Sequence, residues 1–179
     1  MKALKTFVFL SACLCVTSLL DAQKKNSIAT IHAIKFADSL NQAFKKNDWN
    51  DYLSISYPGV IKYYGGTRDF KEYIARTRNI NSSIANESPE KVQVVQMVNQ
   101  INEWQCVVEK TRSTMIDGKK AQIVSYMVGQ SMDEGNTWKY FDVAYSSPEN
   151  LVYIMPDIFH NISVPQRKII FEKDQLVSK

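Results

Sequence analysis

The sequence predicts an α+β protein in which three N-terminal helices pack on a curved antiparallel sheet. Apolar residues recur at helical spacing as far as Ile84, whereas β-branched and aromatic residues dominate from Glu90 onward. Two turn signals, Asp117-Gly118 and Gly135-Asn136, each separate two strand-like runs. The chain has 179 residues without an internal repeat or a linker, so we expect one folded domain.

The helical half contains three helix starts. Asn26 or Ser27 can cap a first helix, and Asn47-Asp48 can start a second, short one. Asp69 and Glu72 have the spacing of a capping box, which predicts the start of a third helix. The apolar face of the first helix is formed by Ala33, Phe36, Ala37, Leu40 and Phe44.

A short strand is predicted between the second and third helices. Pro58-Gly59 is expected to end the second helix, because proline has no amide donor and glycine weakens a helix. The run Val60–Tyr64 is rich in β-forming residues and is followed by Gly65-Gly66. We therefore predict a strand over Val60–Tyr64.

The second half predicts a series of strands joined by tight turns. We expect strands at Val92–Val98, Glu103–Ile116, Lys119–Met132 and Thr137–Tyr145, and a last strand-like or irregular segment at Lys168–Phe171. Tight turns also predict the register, because side chains alternate with period two. The predicted opposite pairs are Val108 with Met127, Lys110 with Ser125, Trp138 with Ser131, Tyr140 with Gly129, and Asp142 with Met127.

This register places a candidate pocket on one face of the sheet. Pockets are mostly apolar and contain a few polar groups. The candidate ligand-binding residues on this face are Trp104, Lys110, Arg112, Met127, Trp138, Tyr140 and Asp142. The competing interpretation is that the aromatic residues are core beneath the helices. Asp142 lies diagonal to Lys110, which favours an ion pair between them.

The octet from Ser131 to Trp138 resembles the Asp-box, Ser-x-Asp-x-Gly-x-Thr-Trp, at every position. That motif caps hairpins in sialidases and in many unrelated β-proteins. Families that build a propeller with it repeat it, whereas this chain contains it once. We interpret the octet as a structural turn.

The first 22 residues resemble a secretory signal peptide. Lys2 and Lys5 precede an apolar run, and a small residue, Ala22, occupies the expected cleavage position. The run is too short for a comfortable transmembrane span. We therefore expect a secreted or periplasmic protein with its domain at residues 23–179. The alternative is a lipoprotein attached at Cys13, because Leu10-Ser11-Ala12-Cys13 resembles a lipobox.

The remaining composition argues against several classes of site. The net charge is only +4 and the basic residues are scattered, so we expect no nucleic-acid partner. Cys106 alone remains after residue 22, which excludes an internal disulfide in the mature chain and favours a buried thiol. His32 and His160 lack ligand spacing, so we predict no metal and no cofactor.

The predicted element order is helix, helix, short strand, helix and then an antiparallel meander. This order resembles the NTF2-like superfamily of cone-shaped α+β folds, as do Tyr57-Pro-Gly-Val60, Gly65-Gly66 and the two hairpin turns. The resemblance covers about Ser27 to Met155 and implies a conical cavity. It also implies that members can be ketosteroid isomerases, dehydratases, cyclases or binding modules. The first-helix tyrosine reported for the isomerases has no counterpart between Ser27 and Phe44.

Two functions follow as expectations. The first is non-catalytic binding of a small apolar ligand or a protein partner. The second is acid/base catalysis of isomerase, dehydratase or cyclase type, with Asp142 as the candidate base. We also expect a homodimer through the opposite, apolar sheet face. That face contains Val124, Tyr126, Phe141, Val143 and Tyr145.

Overall fold

A computed structural model describes residues 25–80, 90–100, 102–145 and 150–172. It has the predicted α+β architecture, in which four helices precede the antiparallel sheet. The helices are α1 (residues 25–46), α2 (Trp49–Ile55), α3 (Pro58–Tyr63), α4 (Thr67–Ile80) and α5 (Leu151–Ile154). The strands are β1 (Lys91–Gln100), β2 (Glu103–Ile116), β3 (Lys119–Ser131), β4 (Lys139–Asp142) and β5 (Lys168–Phe171). The predicted signal peptide and the lipobox at Cys13 lie outside the described residues.

Helix α2 starts where predicted, whereas Asn26 and Ser27, predicted to cap the first helix, lie within α1. α1 buries a narrow face of small residues, which lets it approach the sheet closely. The buried residues of this face are Ala29, Ala33, Ala37, Leu40 and Ala43. α2 is capped by Asp48, whose carboxylate accepts a hydrogen bond from the amide of Asp51 at 3.1 Å. No helix within the described ranges is both long and apolar enough to span a bilayer.

The prediction of a strand at Val60–Tyr64 is wrong, because Val60 to Tyr63 lie in α3 and Tyr64 is its C-cap. Pro58 occupies the first turn of α3, where its missing amide costs no hydrogen bond. Gly59 lies so close to α5 that a Cβ atom there would be 2.2 Å from the carbonyl oxygen of Ile154. Contacts with α5 therefore favour a helix in a segment whose residues have high β-propensity.

Helix α4 starts at Thr67, two residues before Asp69, the first residue of the predicted capping box. The carbonyl of Gly66 accepts a hydrogen bond from the amide of Phe70 at 2.9 Å, which closes the first turn of the helix. Gly66 has a φ of 104°, a conformation that ends the preceding turn. Asp69 consequently lies within the first turn and not at the cap.

The sheet confirms the predicted hairpins and their register. Its ladder order is β1-β2-β3-β4, with β5 also paired to β3. Val108 pairs with Met127 and Lys110 pairs with Ser125 across the first hairpin. Across the second hairpin, Met127 pairs with Asp142 and Gly129 pairs with Tyr140. The strand predicted at Thr137–Tyr145 is shorter than expected, because β4 starts at Lys139 and ends at Asp142, and a 3₁₀ turn, Val143–Tyr145, follows.

Strands β4 and β5 pair with successive parts of the same edge of β3. β4 pairs with β3 from Met127 to Gln130, and β5 pairs with it from Ala121 to Val124. β2 occupies the other edge of β3 along its whole length. Ser125 and Tyr126 therefore lie at a gap between two strands that share one edge.

The outer face of the sheet is covered by the chain itself. Ile162 and Val164 pack against a second apolar cluster formed by Val107, Val124 and Tyr126. Of the residues predicted to form a dimer interface, Val124 and Tyr126 belong to this covered cluster, whereas Phe141 and Val143 are buried in the main core cluster. The side chain of Tyr145 is not described. The exposed apolar face from which a homodimer was predicted does not occur among the described residues.

Two glutamines hold this covering segment through its backbone. The Gln105 side chain donates to the carbonyl of Asp157 and accepts from the amide of Phe159, each at 2.9 Å. Gln96 makes the same kind of paired contact with the backbone of Asn161 and Ser163. Side-chain amides on the sheet therefore satisfy backbone groups of a segment that has no strand partner of its own.

Candidate functional site

The structure brings all seven predicted ligand-binding residues to the inner side of the sheet. Six of them are buried, and Met127 and Trp138 have no exposed surface. Arg112 is half-buried. The apolar members belong to one core cluster with the buried face of α1. The residues share one face as predicted, but the apolar ones pack as protein core.

Trp138 and Tyr140 have their polar atoms satisfied within the protein. The indole nitrogen of Trp138 donates to the carbonyl of Gly135 at 3.0 Å. The Tyr140 hydroxyl donates to the carbonyl of Ala33 in α1 at 2.7 Å, and burial raises the pKa of this hydroxyl well above its ordinary value. The two rings stack with centroids 6.3 Å apart. The Tyr140 hydrogen bond attaches β4 to α1, and both rings are buried within the protein core.

Lys110 and Asp142 form a buried ion pair on this face. The Lys110 Nζ lies 2.5 Å from Asp142 Oδ2, and the amide of Ala144 donates to Asp142 Oδ1 at 2.9 Å. Burial raises the pKa of Asp142, and the attraction of the Lys110 ammonium partly offsets that rise. Both carboxylate oxygens thus have protein partners, as the predicted ion pair requires.

A narrow cleft reaches Asp142 from the helical side; we call it the tyrosine cleft. It is lined by Tyr52, Ser56, Val60, Tyr64, Phe70, Tyr73, Ile74, Tyr140, Phe141 and Asp142. The free volume within it is only about 10 Å³, which is about one water molecule. A larger ligand therefore requires side chains of the cleft to move.

Tyr64 and Tyr73 form the most closely stacked aromatic pair described in the protein. Their ring centroids are 4.1 Å apart, with an angle of 20° between the planes. Both side chains are half-buried. Burial and the hydrogen bond with Tyr64 raise the pKa of Tyr73 above its ordinary value. Aromatic rings stack favourably on one another, so this pair is the part of the cleft best suited to bind an aromatic ligand.

A second cavity, which we call the basic notch, lies on the other side of the ion pair. Its volume is about 60 Å³. It is lined by Glu90, Lys110, Arg112, Ile123, Ser125, Ala144 and Arg167. Lys110 thus borders the notch while its partner Asp142 borders the tyrosine cleft. The sequence pointed to Lys110 and Arg112 but not to Arg167, which reaches the notch only because β5 pairs with β3.

The Asp-box octet forms a turn held by its own side chains. Asp133 accepts hydrogen bonds from the Thr137 amide at 2.9 Å and from the Thr137 hydroxyl at 2.7 Å. The Ser131 hydroxyl accepts from the amide of Gly135 at 2.9 Å. Burial alone would raise the pKa of Asp133, but the hydrogen bonds from Thr137 and Ser131 outweigh it and lower the pKa. The turn has the structural role that its sequence predicts.

The thiol and imidazole side chains that the structure describes belong to Cys106, His32 and His160. Cys106 is buried, and burial raises the pKa of its thiol to about 12. His32 contacts the carbonyl of Gly135 at 3.2 Å, and His160 is exposed. No group of three or more potential metal ligands occurs in the part of the chain that the structure describes.

The sequence does not connect Tyr52 or Tyr73 with Asp142. The structure brings both to the tyrosine cleft. Their aromatic character was visible in the sequence, but no local pattern shows that α2 and α4 meet at the end of β4. In comparisons with known proteins, no family model, no curated protein and no solved structure matches this chain.

Proposed function

We propose that this chain is a non-catalytic binding domain of NTF2-like type, exported to the periplasm or the cell exterior. Its ligand is a small apolar or aromatic molecule whose ring separates Tyr64 from Tyr73 in the tyrosine cleft. The observation that carries this proposal is the stacked pair itself, half-buried at a cleft whose base is the buried carboxylate of Asp142. Aromatic walls with few polar groups are typical of small-molecule sites.

The binding role is favoured over catalysis by the state of Asp142. Its two oxygens are occupied by Lys110 and by the amide of Ala144. A general base needs a lone pair within reach of the substrate. The carboxylate here is better suited to holding the sheet and the 3₁₀ turn together at the base of a cleft.

A titration with indole, a small neutral aromatic probe, tests the binding role. The variant Tyr73→Leu removes one ring of the stack, and Tyr153→Leu is the matched control because Tyr153 is exposed and does not line the cleft. We expect Tyr73→Leu to weaken indole binding about tenfold, equivalent to ~1.4 kcal/mol. Tyr153→Leu should leave it unchanged. Equal affinity in all three proteins would contradict the proposed cleft.

Native mass spectrometry of the protein purified from its own host's envelope tests the same proposal without a chosen probe. A bound small molecule that is lost in Tyr73→Leu would identify the chemistry of the ligand. A ligand retained in that variant would place the binding site elsewhere.

Acid/base catalysis is the second candidate, and one observation favours it: burial raises the pKa of Asp142 towards the range of a general base. Catalysis would require a substrate to displace Lys110. Deuterium incorporation at the α-carbon of a simple ketone, measured by proton NMR, tests this chemistry. Incorporation that disappears in Asp142→Asn would support an enzyme, whereas equal rates with and without the protein would leave only binding.

The homodimer also remains a proposal. The outer face first expected to mediate it is covered by Ile162 and Val164. The exposed apolar side chains Ile169, Ile170 and Phe171 on β5 offer another edge for self-association. Light scattering at micromolar concentration should give twice the chain mass, and a monomer mass would refute the dimer.

A further inference from the structure

The basic notch is separate from the tyrosine cleft, and its position follows from the topology of the sheet. β4 and β5 pair with the same edge of β3 and leave Ser125 and Tyr126 between them. The Ser125 side chain borders the notch at this gap. An interruption in the ladder thus opens a route from the surface to the buried Lys110 without exposing the apolar core.

The notch combines a buried floor with charged walls. Lys110, Ile123 and Ser125 are at most 6% exposed. Arg112 is half-buried and Arg167 is exposed. The floor of the notch is buried and one guanidinium is half-buried, unlike a set of freely solvated surface cations. Side chains held by packing lose less conformational entropy when they bind a ligand.

The charges that face the notch sum to one positive charge. Lys110 is already neutralised by Asp142 at 2.5 Å. Glu90 supplies one further negative charge, and Arg112 and Arg167 supply two positive charges. Within the described ranges, no carboxylate lies within 4.0 Å of either guanidinium. The two arginines therefore have donor groups that the described protein does not use.

We propose that the basic notch binds the carboxylate group of a small monocarboxylic acid. Guanidinium groups donate paired hydrogen bonds that fit the geometry of a carboxylate. The volume of about 60 Å³ suits a group of a few heavy atoms. A net charge of one matches a singly charged anion, whereas inorganic phosphate at neutral pH is in part doubly charged, and that form would leave an uncompensated negative charge beside Glu90.

In this site Arg112 and Arg167 are the binding residues, and the Ser125 hydroxyl is an additional donor at the gap. Lys110 acts as a positioning residue, since its ammonium is committed to Asp142. The site goes beyond the proposed aromatic-ligand function and does not depend on it, because no residue that binds the anion lines the tyrosine cleft.

The test is a titration of the full chain with propionate, followed by NMR of the arginine Nε–H groups. The variants Arg112→Gln and Arg167→Gln each remove one guanidinium. The matched control is Arg76→Gln, because Arg76 is exposed on α4 and does not line the notch. We expect each notch variant to weaken propionate binding at least about tenfold, and the control to bind as the wild type does.

Arg167→Gln keeps the test decisive if Arg112→Gln does not fold, because Arg167 is exposed and precedes β5. Propionate affinity that is absent, or unchanged in Arg167→Gln, would overturn the proposal. Phosphate binding tighter than propionate would overturn the choice of a monocarboxylate. Indole binding in Arg167→Gln and propionate binding in Tyr73→Leu should both be intact, so each site can fail without the other.

Discussion

The ammonium of Lys110 on β2 reaches across β3 to the carboxylate of Asp142 on β4, with 2.5 Å between Nζ and Oδ2. The side chains of the pair are only 2% and 6% exposed. β2 and β4 do not pair with each other, because β3 lies between them. The ion pair therefore connects the two strands on either side of β3. It also separates the tyrosine cleft from the basic notch.

Removing one charged partner of this ion pair should strongly destabilise the folded protein. Lys110→Met leaves the Asp142 carboxylate buried without a counter-ion, and we expect a loss of about 3–5 kcal/mol in the free energy of unfolding. The double variant Lys110→Met/Asp142→Leu should recover most of that loss, because it buries no charge. Urea unfolding of the three proteins measures both values.

The control for this comparison is the exposed ion pair Lys25–Glu134, whose side chains are 63% and 61% exposed. Lys25→Met should cost less than about 1 kcal/mol, because solvent screens surface ion pairs. A similar cost for Lys25→Met and Lys110→Met would show that burial does not govern the buried pair.

The Asp-box turn should tolerate no side chain at Gly135. Its φ of 82° disfavours other residues, and a Cβ atom there would lie 2.4 Å from the Cβ of Ala29 in α1. We expect Gly135→Ala to lower the free energy of unfolding by about 2–5 kcal/mol, from strain and the steric conflict together. Thermal or urea unfolding provides the measurement.

Gly118, in the other hairpin, separates these two effects. Its φ is 75°, but a Cβ atom there would meet nothing within 4 Å. Gly118→Ala should therefore cost only about 1–2 kcal/mol, the cost of the backbone conformation. If the two alanine variants were equally stable, close packing of the turn on α1 would not be the reason for Gly135.

Asp133 should make the stability depend on pH in the acid range. The pKa of its carboxyl is lowered below the ordinary value of 3.8 in the folded protein, so the unfolded chain takes up the proton more readily. Its contribution to stability is therefore present above about pH 3.8 and is lost as the pH falls through the folded pKa. Urea unfolding across this range should show a shallower pH dependence in Asp133→Asn than in wild type.

The neighbouring Glu134→Gln is the control for this prediction, because Glu134 is exposed and contacts only Lys25 among the described residues. It should keep the wild-type pH dependence. At neutral pH we expect Asp133→Asn to be less stable by about 1–2 kcal/mol, since it weakens the charge-assisted hydrogen bonds from Thr137. An unchanged pH profile in Asp133→Asn would contradict the role of its carboxylate.

Gln105 should anchor the segment that covers the outer face of the sheet. Gln105→Ala leaves the Phe159 amide and the Asp157 carbonyl without their partner, and we expect a loss of about 1–3 kcal/mol. Hydrogen exchange at the Phe159 amide should accelerate by more than global destabilisation explains. Gln93→Ala removes an exposed glutamine paired with Glu109 and should leave that amide protected.

The hairpin registers and the composition of the inner face could be predicted from the sequence. Asp117-Gly118 and the Asp-box are short-range signals, and each turn determines which residues lie opposite each other. The Lys110–Asp142 pair followed from that register. These features depend on hydrogen bonds between residues close together in the sequence, so short sequence patterns are sufficient to predict them.

Only the tertiary structure decided three other features. Residues Val60 to Tyr63 are helical despite their β-propensity, in a helix that packs through Gly59 on α5, about 95 residues away. The outer face is covered by Ile162 and Val164 because glutamine side chains hold a segment with no strand pattern. Arg167 joins Arg112 at one notch because β4 and β5 share an edge of β3. Each depends on contacts between residues distant in sequence, and local propensity carries no information about such contacts.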